Sequence, residues 1–142
     1  MSSHPTIIPL MIGAFVLLNA IIVGLVFRLA AACFNKISDS HPRVEPLPNS
    51  ARKNFQTLSI DWCNLGGCVH MTADERHWHL EPSWLVRIFG ARPASIPWDQ
   101  LHDVRLRSLR SFMGTARLGR LSLRAPAWCL RLAMTDGAQP PP

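Results

Sequence analysis

The side chains best suited to chemistry in this chain are cysteines and histidines between residues 63 and 79. Cys63 and Cys68 bracket four residues, His70 follows two positions later, and His77 and His79 lie further along. Thiolate and imidazole groups are common protein ligands of zinc. No second cysteine pair follows. Two interpretations stay open: a metal site centred on Cys63, Cys68 and His70, or surface histidines with small buried thiols. No cofactor is predicted.

A disulfide is the second chemistry open to Cys63 and Cys68. Gly66 and Gly67 predict a hairpin turn between them, and a bridge across such a turn is geometrically conceivable. Thiols stay reduced in the cytoplasm, where the charge pattern described below places this part of the chain. A bridge is therefore expected only with the opposite membrane topology.

Acid and base side chains are present without an arrangement that predicts catalysis. His102 and Asp103 are adjacent, so they would face opposite sides of a strand. The sequence has no glycine-flanked serine and no glycine-rich phosphate loop. We therefore predict that the protein is not an enzyme.

Arginine is the most concentrated functional group. The stretch 104–135 holds seven arginines and no Asp or Glu, in a chain of formal net charge +6. The guanidinium group matches phosphate and carboxylate oxygens, which predicts an anionic partner; a solvated face that keeps the domain soluble is the alternative. If the strands pair antiparallel, one basic face would comprise Arg105, Arg107, Arg120, Arg124 and Arg131.

Nucleic acid is disfavoured as that partner. Arginines could neutralise a phosphate backbone, but the membrane tether described below argues against this use. Base stacking would also need exposed aromatic side chains. The tryptophans fall at apolar positions and are expected in the core: Trp62, Trp78, Trp84, Trp98 and Trp128.

The elements that position these groups begin with an apolar N-terminal segment. Residues 7–27 contain no ionisable side chain, and about 21 residues suffice to cross a hydrocarbon core of about 30 Å. This predicts a transmembrane helix, which with its flanks occupies residues 1–35. A buried core helix is the alternative, but a helix apolar on every face would need a larger surrounding protein.

A cleaved signal peptide is a further alternative, because Ala30, Ala31, Ala32 and Cys33 resemble a lipoprotein processing site. The apolar run exceeds the usual length of about 7–15 residues, no Lys or Arg precedes it, and Arg28 lies just before the alanines. A retained anchor is therefore favoured.

Positive charge follows the apolar segment and does not precede it. The positive-inside rule then predicts a single-pass protein of the cell membrane, with the N-terminus outside and the C-terminal domain in the cytoplasm. The lipid bilayer is thus one predicted partner. The residues that set this orientation are Arg28, Lys36, Arg43, Arg52 and Lys53.

Three segments follow the helix. Prolines interrupt residues 36–54, which are predicted to form an extended linker. Residues 55–135 alternate between apolar and polar side chains and are predicted to form a basic β-rich domain. Residues 136–142 are a proline-rich tail that is expected to be disordered.

The alternation predicts about seven short antiparallel strands in a partial barrel or sandwich. Residues 98–102 could make one helical turn. Residues 128–134 fit a further strand, which we favour, or a short amphipathic helix. The other strands are expected around residues 58–62, 69–71, 78–80, 84–89, 94–98, 104–106 and 121–123.

The segment from Ile96 to Leu101, of sequence IPWDQL, resembles small bacterial membrane proteins with pleckstrin-homology-like domains. In those proteins an Ile-Pro-Trp segment joins one strand to the next part of the barrel. The resemblance covers roughly residues 55–124 and rests on this hexapeptide and the strand spacing. Such domains close with a long C-terminal helix, for which little sequence follows Met134, so the resemblance implies a partial barrel.

Together these features predict a membrane-anchored binding module whose cytoplasmic β domain contacts anionic phospholipid or an acidic protein. The alternative is a small structural subunit of a larger membrane complex, without a ligand of its own. A module that faces lipid would bind anionic vesicles in a salt-sensitive manner, whereas a subunit would expose an apolar patch.

Overall fold

One long helix and a curled antiparallel sheet make up the computed structural model, which describes residues 6–108 and 110–135. This confirms the predicted fold class of an apolar N-terminal helix and a seven-stranded β domain. The predicted tail, residues 136–142, lies outside the described residues. The elements in chain order are α1 (Ile7–Ser38), β1 (Ala51–Ile60), β2 (Cys63–Ala73), β3 (His77–Pro82), α2 (Trp84–Ile88), β4 (Ala94–Pro97), a 3₁₀ turn (Trp98–Gln100), β5 (Leu101–Leu106), β6 (Met113–Leu118), β7 (Leu121–Pro126) and α3 (Ala127–Thr135).

Helix α1 has two parts with different surroundings. It is 32 residues long, which corresponds to about 48 Å. The large apolar side chains of residues 7–26 are exposed, and α1 is the one candidate membrane-spanning helix in the described part of the chain. Its C-terminal part packs into the β domain and buries Ala31, Cys33, Phe34, Ile37 and Ser38.

Burial of that second part explains why the helix is longer than predicted. Residues 36–38 were assigned to the linker, but they form the last turn of α1, and Ile37 has no exposed surface. Strand β1 also begins earlier than predicted, at Ala51. Residues 39–50 therefore connect α1 to the sheet.

The sheet has the strand order β4-β3-β2-β1-β7-β6-β5, with every neighbouring pair antiparallel. Strand β1 joins its two halves: it pairs with β2 along most of its length and with β7 at Ser59 and Ile60. Irregular pairing between Lys53 and Leu58, with Phe55 at a φ of 52°, lets the two long strands bend. The C-terminal part of α1 packs on β2 and β4, and α3 packs on β5, β6 and β7.

Two predicted strands are helices. Residues 84–89 form α2, which begins after Pro82 and Ser83 and stops at Gly90, where φ is 97°. Residues 128–134 belong to α3, in which Cys129, Leu130 and Ala133 are buried. That spacing of one and four positions defines one face of a helix, so the period of the core contacts is helical.

One strand was missed and one turn was misplaced. Strand β6 had not been predicted, although its burial alternates strictly through Gly114, Ala116 and Leu118. The β1–β2 hairpin turns at Asp61 and Trp62, because Ile60 pairs with Cys63. The Gly66-Gly67 pair, predicted as the turn, lies inside β2.

The tryptophans divide between core and surface. Trp78 and Trp98 are buried and their rings stack with centroids 6.3 Å apart, as predicted. Trp128 is half-buried. Trp62 and Trp84 are exposed, and for these two the predicted core position was wrong, because one lies in a turn and the other begins a helix.

Candidate functional site

Strand register brings arginines together on the outer side of β5, β6 and β7. Arg105 pairs with Thr115, and Thr115 pairs with Arg124. Paired residues project from the same face of a sheet, so Arg105 and Arg124 flank Thr115. Alternation along β6 adds Arg117. Arg107 lies just after the end of β5 and is exposed as well. We call these four exposed arginines, Arg105, Arg107, Arg117 and Arg124, the basic face.

Helix α3 covers the opposite side of these strands. A Cβ atom at Gly114 would lie 2.8 Å from Leu130 Cδ1, so the residues that alternate with Thr115 and Arg117 face the helix. The basic face is therefore the solvent side of a sheet whose other side is core. This arrangement leaves the guanidinium groups free of the packing constraints of the interior.

The predicted set of five arginines only partly coincides with this face. Arg105, Arg107 and Arg124 belong to it. Arg120 instead lies in the β6–β7 turn, and Arg131 lies on α3 beside a separate depression that Lys53 also lines. Arg117 was left out because β6 had not been recognised; the alternation of Thr115 and Arg117 with small buried residues was the available signal.

A groove of about 760 Å³ runs beside the basic face. Three arginines and several apolar side chains bound it, and Met134 of α3 contributes to one wall. Strand β5 is an outer strand of the sheet, and no strand in the described part of the chain pairs with its second edge. The lining residues are Val104, Arg105, Leu106, Arg107, Met113, Gly114, Thr115, Arg124 and Met134.

Three arginines outside the basic face form ion pairs. Arg43 and Arg52 both approach Glu81, with N···O distances of 3.3 and 3.4 Å, and Arg92 pairs with Asp39. Within residues 6–108 and 110–135, by contrast, no carboxylate lies within ion-pair distance of any arginine of the basic face. The nearest acidic neighbour on this side is Asp103, which lines a depression together with Arg105 and Arg117 without forming an ion pair with either.

The cysteines and histidine predicted as metal candidates do not converge. Cys63 faces the core, whereas Cys68 and His70 alternate to the other side of β2 and are half-buried. His70 Nδ1 accepts a hydrogen bond from the Phe55 backbone N–H at 3.2 Å. The hairpin turn predicted between Cys63 and Cys68, across which a disulfide was conceivable, is absent from its place, because both residues lie on strand β2.

A different polar cluster lies at the β2–β3 turn. His79 Nε2 donates to Asp74 Oδ2 at 2.8 Å, and both side chains are 3% exposed. Asp74 Oδ1 accepts from the backbone N–H groups of Arg76 and His77. Burial alone would raise the pKa of Asp74, but these hydrogen bonds and one from the Leu47 N–H hold it well below its usual range.

The second ring nitrogen of His79 joins this cluster to the linker. His79 Nδ1 lies 2.8 Å from Ser95 Oγ, and that oxygen accepts a hydrogen bond from the Val44 N–H at 2.8 Å. Asp74 Oδ2 accepts from Leu47 N–H at 3.2 Å. The expectation of a surface histidine at position 79 was wrong: its ring is buried and pins residues 44–47 to the sheet.

Ser95, His79 and Asp74 therefore form a serine, histidine and carboxylate series, but its geometry is structural. The Ser95 hydroxyl is buried and bonded to both the N–H and the C=O of Val44. A catalytic serine must be accessible to the substrate, and hydrogen-bond donors must surround the substrate's carbonyl oxygen. The Ser95 hydroxyl faces the Val44 backbone instead. The series holds a buried ring in position.

The same cluster is the one group in the described residues whose ligand types and spacing could hold a metal ion. One ligand atom from each of Asp74, His77 and His79 lies within 4.8 Å of the other two. Asp74 and His79 satisfy each other directly, and the backbone donors satisfy the second carboxylate oxygen. Asp74 and the His79 ring are thus already engaged in hydrogen bonds with protein groups.

No protein-family model, curated protein or solved structure matches this chain. The curled seven-stranded half-barrel with an apolar N-terminal helix is compatible with the pleckstrin-homology-like architecture that the sequence resembles.

Proposed function

We propose that this protein is a membrane-anchored binding module that recognises an acidic protein segment through its basic face. The observation that carries the proposal is the groove at the outer strand β5, bounded by Arg105, Arg107 and Arg124, none of which is paired with a carboxylate in the described residues. Uncompensated guanidinium groups beside a groove favour a ligand that brings carboxylates.

The shape and composition of the groove favour an extended peptide. Leu106, Met113 and Met134 supply apolar surface between the charges, which suits a segment with alternating acidic and apolar side chains. The second edge of β5 offers backbone N–H and C=O groups to an added strand, a mode of peptide recognition that combines main-chain hydrogen bonds with side-chain pockets.

A protein partner is favoured over the bilayer by the arrangement of elements. Helix α1 packs on α2, β2 and β4, in the first half of the strand order, while the basic face lies on β5, β6 and β7 in the second half. The surface nearest the anchor and the basic face are thus on different strands. Binding of phospholipid by the basic face would show a distinct pattern in the experiment below.

Anchoring and topology complete the proposal. Helix α1 spans the cell membrane once, with residues 7–27 in the hydrocarbon region and the N-terminus outside. The basic residues after the span, beginning with Arg28 and Lys36, hold the β domain in the cytoplasm. A partner is then met at the inner membrane surface, where anchoring raises its effective concentration.

The test uses the full chain in phosphatidylcholine nanodiscs and a fluorescent peptide of alternating Glu and Val. Binding should weaken with salt. It should fall roughly tenfold or more for Arg105→Glu and for Arg124→Glu, since each reversal replaces an attraction by a repulsion. Arg120→Glu is the matched control, because it changes net charge equally in a turn outside the groove.

Other outcomes discriminate the alternatives. If the peptide does not bind, and a soluble short-chain phosphatidylglycerol binds with the same dependence on Arg105, the face recognises phospholipid. If neither ligand binds, the anion-binding proposal is wrong and an accessory subunit without a ligand of its own is favoured.

A further inference from the structure

Helix α2 lies against α1 where the apolar span ends. The ring of Phe89, which directly follows α2, stacks on Phe27, and a Cβ atom at Gly24 would lie 3.8 Å from Phe89 Cε1. Arg28, the first charged residue of α1, follows immediately. The C-terminal end of α2 is therefore level with the boundary between the hydrocarbon-facing and charged parts of α1.

Polar contacts fix this arrangement further along the helix. Asn35 Nδ2 donates to the Gly90 carbonyl oxygen at 2.9 Å, and the Arg92 N–H donates to Asn35 Oδ1 at 2.9 Å. Ser38 Oγ donates to the Arg92 carbonyl oxygen at 2.5 Å. The segment that follows α2 is thus bonded to α1 over about one turn, which holds α2 in place.

The outward side of α2 is apolar. Val86 points into the core and is 1% exposed, whereas Trp84 and Ile88 are 66% and 68% exposed, and Leu85 is exposed as well. Arg87, also exposed, supplies a positive charge beside them. Tryptophan is enriched at bilayer interfaces, and arginine there can meet headgroup phosphates.

We propose that α2 is a second membrane contact, with Trp84 and Ile88 in the headgroup region of the bilayer that α1 crosses. The occupant of this surface is lipid because the surface is continuous, through Phe89 and Phe27, with the helix that spans the membrane. The inference rests on the proposed anchoring by α1 but is independent of what the basic face binds. Held by α1 and α2 together, the β domain lies on the membrane at a fixed orientation.

Tryptophan fluorescence of the full chain provides the test. The chain is placed in nanodiscs of phosphatidylcholine with brominated or ordinary acyl chains, since bromine quenches tryptophan only within the bilayer. Wild-type fluorescence should be quenched, and Trp84→Phe should remove most of that quenching. Trp84 is exposed, as is Trp62, which is changed in the control, so neither substitution is expected to disturb the core.

Trp62→Phe is the matched control, because Trp62 is 69% exposed and lies in the β1–β2 turn. Quenching should persist in this variant. Equal quenching in wild type and Trp84→Phe, or loss in Trp62→Phe alone, would overturn the inference. So would an unquenched Trp84 that forms crosslinks between two copies of the chain, which would identify a second copy as the occupant.

The readout separates this inference from the proposed function. Neutral phosphatidylcholine is sufficient for α2 to insert, and acidic-peptide binding is measured in the same nanodiscs. If the chain integrates and binds the peptide while Trp84 stays unquenched, only the α2 contact is wrong. If Trp84 is quenched and the peptide does not bind, only the basic face has been misassigned. If the chain fails to integrate, the anchoring is wrong and the α2 contact with it.

Discussion

Phe27 and Phe89 stack with ring centroids 5.5 Å apart and ring planes inclined by 12°. Phe27 is half-buried and directly follows the exposed apolar residues 7–26. About two to three turns later the same helix contributes Phe34 and Ile37 to the core, both with no exposed surface. Anchor and domain are thus joined by one helix without a flexible break. A consequence is that the β domain depends on part of α1 for its stability.

The first prediction concerns where the independently folding unit begins. A chain that starts at Ala30 should fold and unfold cooperatively, whereas one that starts at Asp39 should not. The shorter chain lacks Phe34 and Ile37. Removal of such side chains costs about 3–5 and 2–5 kcal/mol, which is comparable to the total stability of about 5–15 kcal/mol. Urea unfolding followed by tryptophan fluorescence measures the difference.

Point variants of the full chain check the same idea in detergent micelles. Phe34→Ala should lower the free energy of unfolding of the β domain by about 3–5 kcal/mol. Phe15→Ala, in the exposed apolar part of α1, should leave it unchanged. A cooperative, equally stable domain from Asp39 onward would show that α1 is dispensable.

The second prediction is that protonation of Asp74 in acid lowers the stability of the fold. Its folded-state pKa is lowered, so the ionised carboxylate stabilises the folded state above the unfolded value of about 3.9, and this contribution is lost as the pH falls below it. At pH 7, Asp74→Asn should cost about 1–3 kcal/mol because it weakens buried hydrogen bonds. Below pH 4, the free energy of unfolding of the Asp74→Asn variant should also vary less with pH than that of the wild type.

Asp99→Asn is the control for this measurement, since Asp99 is exposed in the 3₁₀ turn. It should retain the wild-type stability and the wild-type dependence on pH. Equal acid profiles for the wild type and Asp74→Asn would mean that the Asp74 and His79 hydrogen bond does not stabilise the fold.

Much of the fold could be predicted because many of its core residues are large and apolar and alternate with polar residues along the strands. Trp78 and Leu80 predicted β3, and the apolar run of residues 7–27 predicted the exposed part of α1. Strand β6 was missed because its inward residues include Gly114 and Ala116, which carry little hydrophobic signal. Helix α2 was missed because five residues are too few to establish a period.

The site was less accessible to sequence reasoning because it depends on register. The arginine content of residues 104–135 indicated a basic surface, but only the pairing of Arg105, Thr115 and Arg124 assigns its members. The Asp74 and His79 network arises where the β2–β3 turn meets the linker and β4. Contacts between segments that are far apart in the sequence leave no periodic pattern in the chain.

The third prediction tests the close packing behind the basic face. A Cβ atom at Gly114 would lie 2.7 Å from Leu106 Cδ2, 2.8 Å from Leu130 Cδ1 and 3.0 Å from the Arg105 carbonyl oxygen. Gly114→Ala should therefore lower the free energy of unfolding by about 1–3 kcal/mol through overpacking. Thermal unfolding monitored by circular dichroism measures this.

Gly66→Ala provides the matched comparison in strand β2. A Cβ atom there would come no closer than 3.9 Å to Asn64 Oδ1, so the substitution should change the unfolding temperature little. If Gly114→Ala were as stable as Gly66→Ala, α3 would not pack on β6 as closely as described.

The last prediction concerns the reactivity of the thiols toward iodoacetamide at pH 8. Burial, with a hydrogen bond to Cys33, raises the pKa of Cys63 to about 11, and burial raises that of Cys129 to about 12. The thiolate is the nucleophile, so at pH 8 roughly one Cys63 side chain in a thousand would be reactive.

Cys68 is half-buried at the outer side of β2, and we expect it to be alkylated first. Mass spectrometry of the folded chain should locate the early label on Cys68, and Cys68→Ser should remove it; equal early labelling of Cys63 would contradict its burial beside Cys33 of α1.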